Sequence, residues 1–332
     1  MRFVVAPAEE SPPVIIVGAG IAGVAAAREV DAAGLPVHVY DRGHRIGGRM
    51  GVRTVAGRPI DVGAAYFTAS DPAFRAVVDR WESAGLARPW TDTFAVASGN
   101  RLESTTSGPM RFATAYGVRS LVEELAGDLK IRHPLDVAEV AGGPRVDGVA
   151  AEAVVLAMPD PQALDLLADV FQAERAIVAD RDWRPVLALY ARWEQRLWPA
   201  LDGVFVNDND VLALVVDDGR RRGDDVPVLV AHSTGPFAAR YLDDPASAAA
   251  PMLRSMCELL EIPVDPEWAY VKRWSLAAPG APHREAYHLG ESGIGLCGDG
   301  WVGLGESSRP RVEAAFLSGR AVGQALVERL SS

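Results

Sequence analysis

The residues that open the chemistry of this chain carry almost no side chains. Gly18, Gly20 and Gly23 run through "VIIVGAGIAGVAAAREV" (14–30) with the spacing G-x-G-x-x-G. Any chemistry there belongs to the backbone. The first N–H groups of a helix lack intrahelical partners, and the helix dipole is positive at that end, so such a turn attracts anions. Each glycine then has a task. Gly18 permits the tight turn, Gly20 lets a pyrophosphate approach the main chain, and Gly23 lets helix and strand pack closely. Asp41 closes the following strand, where a carboxylate accepts both hydroxyls of an adenosine ribose. A ligand-free glycine turn is the plainer alternative. Strand, helix, second strand and terminal acid in register favour a dinucleotide.

Further candidates lie along the chain. Gly47-Gly48-Arg49 follows Asp41 closely. A simple NAD domain has no need of it, whereas FAD does, because its pyrophosphate and ribityl chain run on past the ribose. Arg49 suits a phosphate. Asp299 follows the apolar run "GIGLCG" and suits a ribityl hydroxyl or a bridge to phosphate. A helix starting near Arg311–Val312 turns its positive end toward the pyrimidine edge of a flavin. Tyr66, Trp274 and Trp301 are expected as apolar walls for a planar ring, with ordinary core as the alternative. His232 ends "VLVAHSTG", facing a pocket or satisfied locally at the strand end. Asn207 reads as a turn residue, with a hydrogen bond to a substrate carboxamide as the alternative. Arg220, Arg221 and Arg222 sit among Asp217, Asp218, Asp224 and Asp225 and read as a solvated hairpin loop of mixed charge.

The elements that must position these residues follow from periodicity. "VIIV" (14–17) is a buried parallel strand, 21–33 a helix ending at Gly34, and 35–41 a second strand, making a βαβ unit. Helices are expected at 72–84, 117–127, 161–180, 246–261 and 311–330. Strands are expected at 151–159, 270–276 and 293–300, with several more between 185 and 235. The ends resemble nucleotide-domain pieces and the β-rich middle does not. The predicted organisation is therefore a discontinuous cofactor domain (13–75, 105–165 and 285–332) and an inserted substrate domain (76–104 and 166–284).

The 332 residues are 49% hydrophobic and 23% charged, a globular composition with room for a large core. A net charge of −11 argues against a nucleic-acid partner or an anionic membrane surface. Cys257 and Cys297 have neither metal nor disulfide spacing, so no metal is expected and a cytoplasmic, reducing compartment fits. Residues 1–12 read as a frayed leader. Glu9 and Glu10 precede the apolar stretch where a signal peptide carries positive charge, and the glycines interrupt it.

Taken together, "VIIVGAGIAGVAAAREV", "VYDRGHRIGGRM", "IDVGAAYFTA", "AVVLAMPDPQAL", "VKRWSLAAP" and "GLCGDGWVG…RVEAAFLSGRAVGQAL" resemble the FAD-dependent amine-oxidase superfamily, and within it the short bacterial renalase-like proteins. The resemblance implies an α/β fold: a Rossmann-type FAD-binding domain of the p-hydroxybenzoate-hydroxylase type with an inserted substrate domain of mixed β-sheet plus helices. It implies non-covalent FAD touched by Gly18, Gly20, Ile21, Ala22, Gly23, Asp41, Arg42, Gly48, Arg49, Met50, Gly63, Ala64, Tyr66, Phe67, Val137, Met158, Gly298, Asp299, Arg311 and Val312. Tyr66, His232 and Trp274 fall on the segments implied to face flavin and substrate.

The activity so implied is oxidation of the 2- and 6-dihydro isomers of NAD(P)H to NAD(P)+, with O2 as the final acceptor and hydrogen peroxide as a product. Such a donor needs orientation and no base. Oxidation of a small amine is the alternative, and a flavoprotein without turnover a third. Two departures from the family pattern stand out. The loop after Trp301 is longer than in the bacterial proteins. No lysine lies between Lys130 and Lys272, where many amine oxidases hold one against the flavin through a water.

Overall fold

A computed structural model describes residues 11–303 and 311–332. Most of the expected leader and residues 304–310 of the longer loop lie outside the described residues. The chain builds a mixed α/β fold with a Rossmann-like half and a second sheet.

The Rossmann-like half centres on a six-stranded sheet in the order His288–Leu289, Ile294–Leu296, Ala153–Leu156, Val14–Val17, Val37–Tyr40, Ile131–Arg132. All neighbours are parallel except the first pair. Val14–Val17 is central and buried along its whole length, which is why it reads as an unbroken β-branched run. Helix Ile21–Ala32 returns the chain to Val37–Tyr40. Its alanine-rich face admits the last helix, Val312–Leu330, at backbone contact: a Cβ on Gly319 would lie 1.9 Å from the Ala22 carbonyl oxygen. Helices Ile21–Ala32 and Val312–Leu330 are thereby locked together.

The second, seven-stranded sheet runs Trp268–Pro279, Trp183–Arg192, Val228–Ser233, Leu212–Asp217, Gly203–Asn207, Arg88–Ser98, Arg101–Ala113. Alternation sorts its faces. Leu187, Leu189, Ala191, Leu229 and Ala231 pack with Met252 and Met256 of helix Ala249–Leu260. Their neighbours Ala188, Tyr190, Val228 and Val230 pack with Ile60 and Val62 of the Rossmann-like half. His232 follows Val228 and Val230 at period two, so the pleat turns it toward that half.

The domain boundaries differ from those predicted. Position 105 falls inside Arg101–Ala113, which stays in the second sheet throughout. Helix Pro72–Ser83, assigned in part to the inserted domain, packs Phe74, Val78 and Trp81 into the Rossmann-side core beside Phe316. The chain also stays with that half beyond 166, where Phe171 and Val178 join the cluster under Ile15 and Val154. The expected helix 161–180 is two short helices, Asp160–Leu166 and Gln172–Val178. No helix among the described residues is long and apolar enough to cross a membrane.

Candidate functional site

The three glycines of the first turn meet different surroundings. Gly18 has φ +109°, and a Cβ there would lie 2.5 Å from the Ala157 carbonyl oxygen. A Cβ on Gly23 would lie 1.8 Å from the Gly18 carbonyl oxygen. Both are closed against protein. A Cβ on Gly20 would meet nothing within 4 Å. The cradle therefore opens at the middle glycine, where the buried first-turn residues Ile21 and Ala22 begin the helix. Across it stands Gly48, whose added Cβ would lie 3.4 Å from Gly20 Cα, and Gly47 N–H donates to Ala19 O at 2.8 Å. Two bare loops thus flank a space bordered by helix N–H groups, which fits a diphosphate.

Asp41 stands where expected, yet its oxygens already accept backbone N–H groups, Ala19 at 2.7 Å and Gly43 at 2.7 Å. One lone pair on each oxygen remains for ribose hydroxyls. Arg42 is exposed. Val137 is buried, and the half-buried Met158 packs on the same cluster as Tyr40.

Arg49 and Asp299 were expected to meet a cofactor separately. The structure pairs them through two hydrogen bonds of 2.8 and 2.6 Å. Arg49 also donates to Ala277 O at 3.1 Å and lies 5.1 Å over the Trp183 ring. The adjacent Gly298 N–H donates to Ser318 Oγ at 3.0 Å. Met50 is buried in the Rossmann-side core. Gly63 and Ala64 run against Arg49: Ala64 N–H donates to Arg49 O at 2.9 Å. Trp274 reaches this strip from the second sheet, donating Nε1–H to Val62 O at 2.7 Å, with its ring where a Cβ on Gly51 would be.

At the last helix, Val312 is buried and Arg311 pairs with Glu313 at 2.8 Å. Glu313 was not singled out from sequence. Its buried carboxylate accepts N–H groups of Ser70 and Asp71, tying the helix start to the segment after Tyr66 and Phe67.

The second sheet contributes His232, whose Nε2 is sealed without a hydrogen-bond partner. Burial, and secondarily the charge of Arg221, lower its pKa to about 4, so it is neutral at pH 7. Ala188 pairs with His232 on one side and with Lys272 on the other, putting all three in one row. Lys272 Nζ lies 5.0 Å from the Trp274 ring, and burial, then Arg53 and Arg273, lower its pKa.

Three expectations need correction. Arg221 and Arg222 are not solvated: they are buried in helix Asp218–Arg222. Arg222 bonds Asp61 at 3.0 Å, Arg221 donates to Asp218 and to Ala65 O, and Arg58 holds the other Asp218 oxygen at 2.6 Å. Phe67 is core, its ring meeting Phe74, Trp81 and Phe112, so only its backbone can face a cofactor. Trp301 is not a free wall, because His283 stacks on it at 3.7 Å. His283 in turn bonds Asp160 at 2.9 Å and Arg181 at 2.8 Å beside a cavity of about 620 Å³. Arg181 can only donate, so the hydrogen-bond pattern makes Nδ1 the acceptor and Nε2–H the donor to Asp160. The expected loop contribution at 304–310 lies outside the described residues.

Comparison with known proteins gives a consistent picture. Residues 16–81 match the NAD(P)-binding Rossmann-like domain family. The chain is 37% identical over 121 residues to phytoene dehydrogenase of Streptomyces griseus, covering 34% of this chain and 22% of that one. It is 47% identical over 57 residues to polyamine oxidase 4 of Oryza sativa, covering 17% and 12%. The chain thus spans less than a quarter of these relatives. A double mutant of putrescine oxidase has the same fold, with a TM-score of 0.75 at 16% identity, covering 96% of this chain and 99% of that one.

Proposed function

We propose that this chain is an FAD-dependent oxidoreductase of the amine-oxidase superfamily, holding FAD non-covalently, with a renalase-like activity on 2- or 6-dihydro isomers of NAD(P)H. The observation that carries the flavin reading is the opening at Gly20, faced by Gly48 while Gly18 and Gly23 are closed. Ile21 and Ala22 N–H groups would hold the pyrophosphate, Asp41 the adenosine ribose, and the Arg49–Asp299 pair the ribityl end. Bound there, FAD would supply hydride acceptance from the substrate and, with O2 as the final acceptor, the release of hydrogen peroxide. A cytoplasmic location, without nucleic-acid or membrane partners, belongs to the same reading.

The protein's part is orientation. Tyr66 and Trp274 flank the ring being oxidised, and His232 presents a neutral imidazole that can hydrogen-bond the substrate yet is a weak base. A dihydronicotinamide needs no deprotonation, so this is the reading His232 supports. Lys272 favours a second, oxidation of a small amine: its lowered pKa and its place in one row with His232, across Ala188, suit accepting an ammonium proton.

Anaerobic mixing separates the two. Rapid loss of the visible flavin band with 6-dihydroNAD is expected. Bleaching by putrescine alone moves the assignment to amines. A flavin that neither donor reduces defeats both.

A further inference from the structure

We propose that Arg111 anchors a binding site for an anionic group, carboxylate or phosphate, on the molecule that this protein oxidises. Arg111 is 5% exposed, and its side chain makes no hydrogen bond or ion pair among the described residues. Its Nε and Nη1 are sealed without an acceptor. Its guanidinium lies 4.1 Å from the Phe94 ring centre, 5.3 Å from Tyr66 and 5.6 Å from Phe205. The Trp90 ring also meets Phe94, at 5.5 Å, and its Nε1 is a second buried donor without a partner.

Arginine cannot shed its charge by losing a proton. Ring faces compensate a buried guanidinium only in part, and a buried cation without a counter-ion is strongly unfavourable. The same molecule shows what full compensation requires. Arg221 and Arg222, equally buried, are given Asp61 and Asp218. At Arg111 no counter-charge stands among the described residues, and both orphaned groups are donors. The complementary ligand is therefore an acceptor carrying negative charge, and the surrounding rings leave it little water.

The place of this box ties it to the substrate. Phe94 and Phe205 alternate with Ala95, Ala97, Val204 and Val206, which pack on the helical side. They therefore point the same way as His232. Phe205 pairs with Leu214, and Leu214 with His232, so two strand spacings, roughly 10 Å, separate the box from the imidazole. A substrate spanning that interval would place its anion on Arg111 and its reacting end near Tyr66 and Trp274. Only the word "substrate" rests on the function proposed above; the anion site itself needs no flavin.

Calorimetric titration of the FAD-loaded protein with sodium benzoate and with sodium pyrophosphate, against sodium chloride at matched ionic strength, tests it. Wild type is expected to bind at least one probe, benzoate marking a carboxylate site and pyrophosphate a phosphate site. Arg111→Met is expected to bind it at least tenfold more weakly, about the loss of one charge-assisted hydrogen bond. Without the probe, the same variant should melt no lower than wild type, because an unpaired charge has left the interior. Arg111→Lys, which keeps the charge and loses the fork, should bind with intermediate affinity and reads the site if the Met variant does not fold. No binding of either probe to wild type overturns the proposal, as does equal binding by wild type and both variants. If the purified protein takes up no FAD, the flavin reading fails, while the difference in benzoate affinity between the wild-type and Arg111→Met apoproteins still decides Arg111.

Discussion

The two halves of the molecule handle charge in opposite ways. On the Rossmann side the proposed anion-binding surface is uncharged backbone, built by Gly20, Gly48 and the start of helix Ile21–Ala32. Under the second sheet, Asp61, Asp218, Arg221 and Arg222 form a buried ionic cluster that crosses from one half to the other. A backbone cradle is assembled by neighbours in sequence. An ionic cluster needs both partners in place, so it also fixes how the halves meet. Burial alone would raise the Asp218 carboxyl; the charges of Arg221, Arg222 and Arg58 outweigh it and bring the pKa to about 2.

Removing one member of the cluster is the largest perturbation we expect. Asp61 accepts Val118 N–H at 2.8 Å as well as Arg222. In Asp61→Ala, two buried arginines share Asp218 and an amide is orphaned. The loss should be about 3–5 kcal/mol in urea unfolding. A loss near that of a surface pair, below ~1 kcal/mol, would show that the halves are held by apolar contacts alone. Acid should act in the same direction. The folded pKa of Asp218 lies below the carboxylate's ordinary 3.8, so its stabilisation is complete above that value and is lost as pH falls toward 2.

The two kinds of site also differ in how far the sequence reveals them. Gly18 to Asp41 lies within one βαβ unit, so spacing alone gives its geometry. Arg222 and Asp61 are 161 positions apart, and nothing local marks them as partners. A run of three arginines among four aspartates reads as a wet loop until the sheets are assembled. Trp301 and His283 show the same limit: the aromatic is visible in the sequence, its stacking partner is not. The long hairpin Arg88–Ser98 and Arg101–Ala113 was missed because its outer strand is mostly exposed and polar, with no apolar period to betray it.

Within the cradle, a pair of substitutions separates fold from ligand. Gly23→Val forces side-chain atoms into the Gly18 carbonyl and should destabilise the protein itself, by about 1–3 kcal/mol or more. Gly20→Val meets open space, so the apoprotein should melt as wild type does while FAD no longer binds. Thermal melts of the apoproteins and FAD titrations read the two effects separately. Equal behaviour of the two variants would erase the distinction between closed and open glycines.

The effect expected to be smallest at neutral pH is also the most local. His232 is held neutral, with a pKa near 4 against about 6.5 in an unfolded chain. Between those values the unfolded state binds more protons than the folded one. Stability should therefore rise with pH through that window, the imidazole opposing folding as acid charges it. His232→Asn removes this titration and should flatten the stability profile between pH 4 and 6.5, leaving the Asp218 limb at lower pH intact. His232→Ala should retain flavin and slow its anaerobic reduction. If the profile flattens while the rate of reduction is unchanged, His232 belongs to the architecture of the second sheet; if both change, the imidazole faces the substrate as its place in the row with Lys272 suggests.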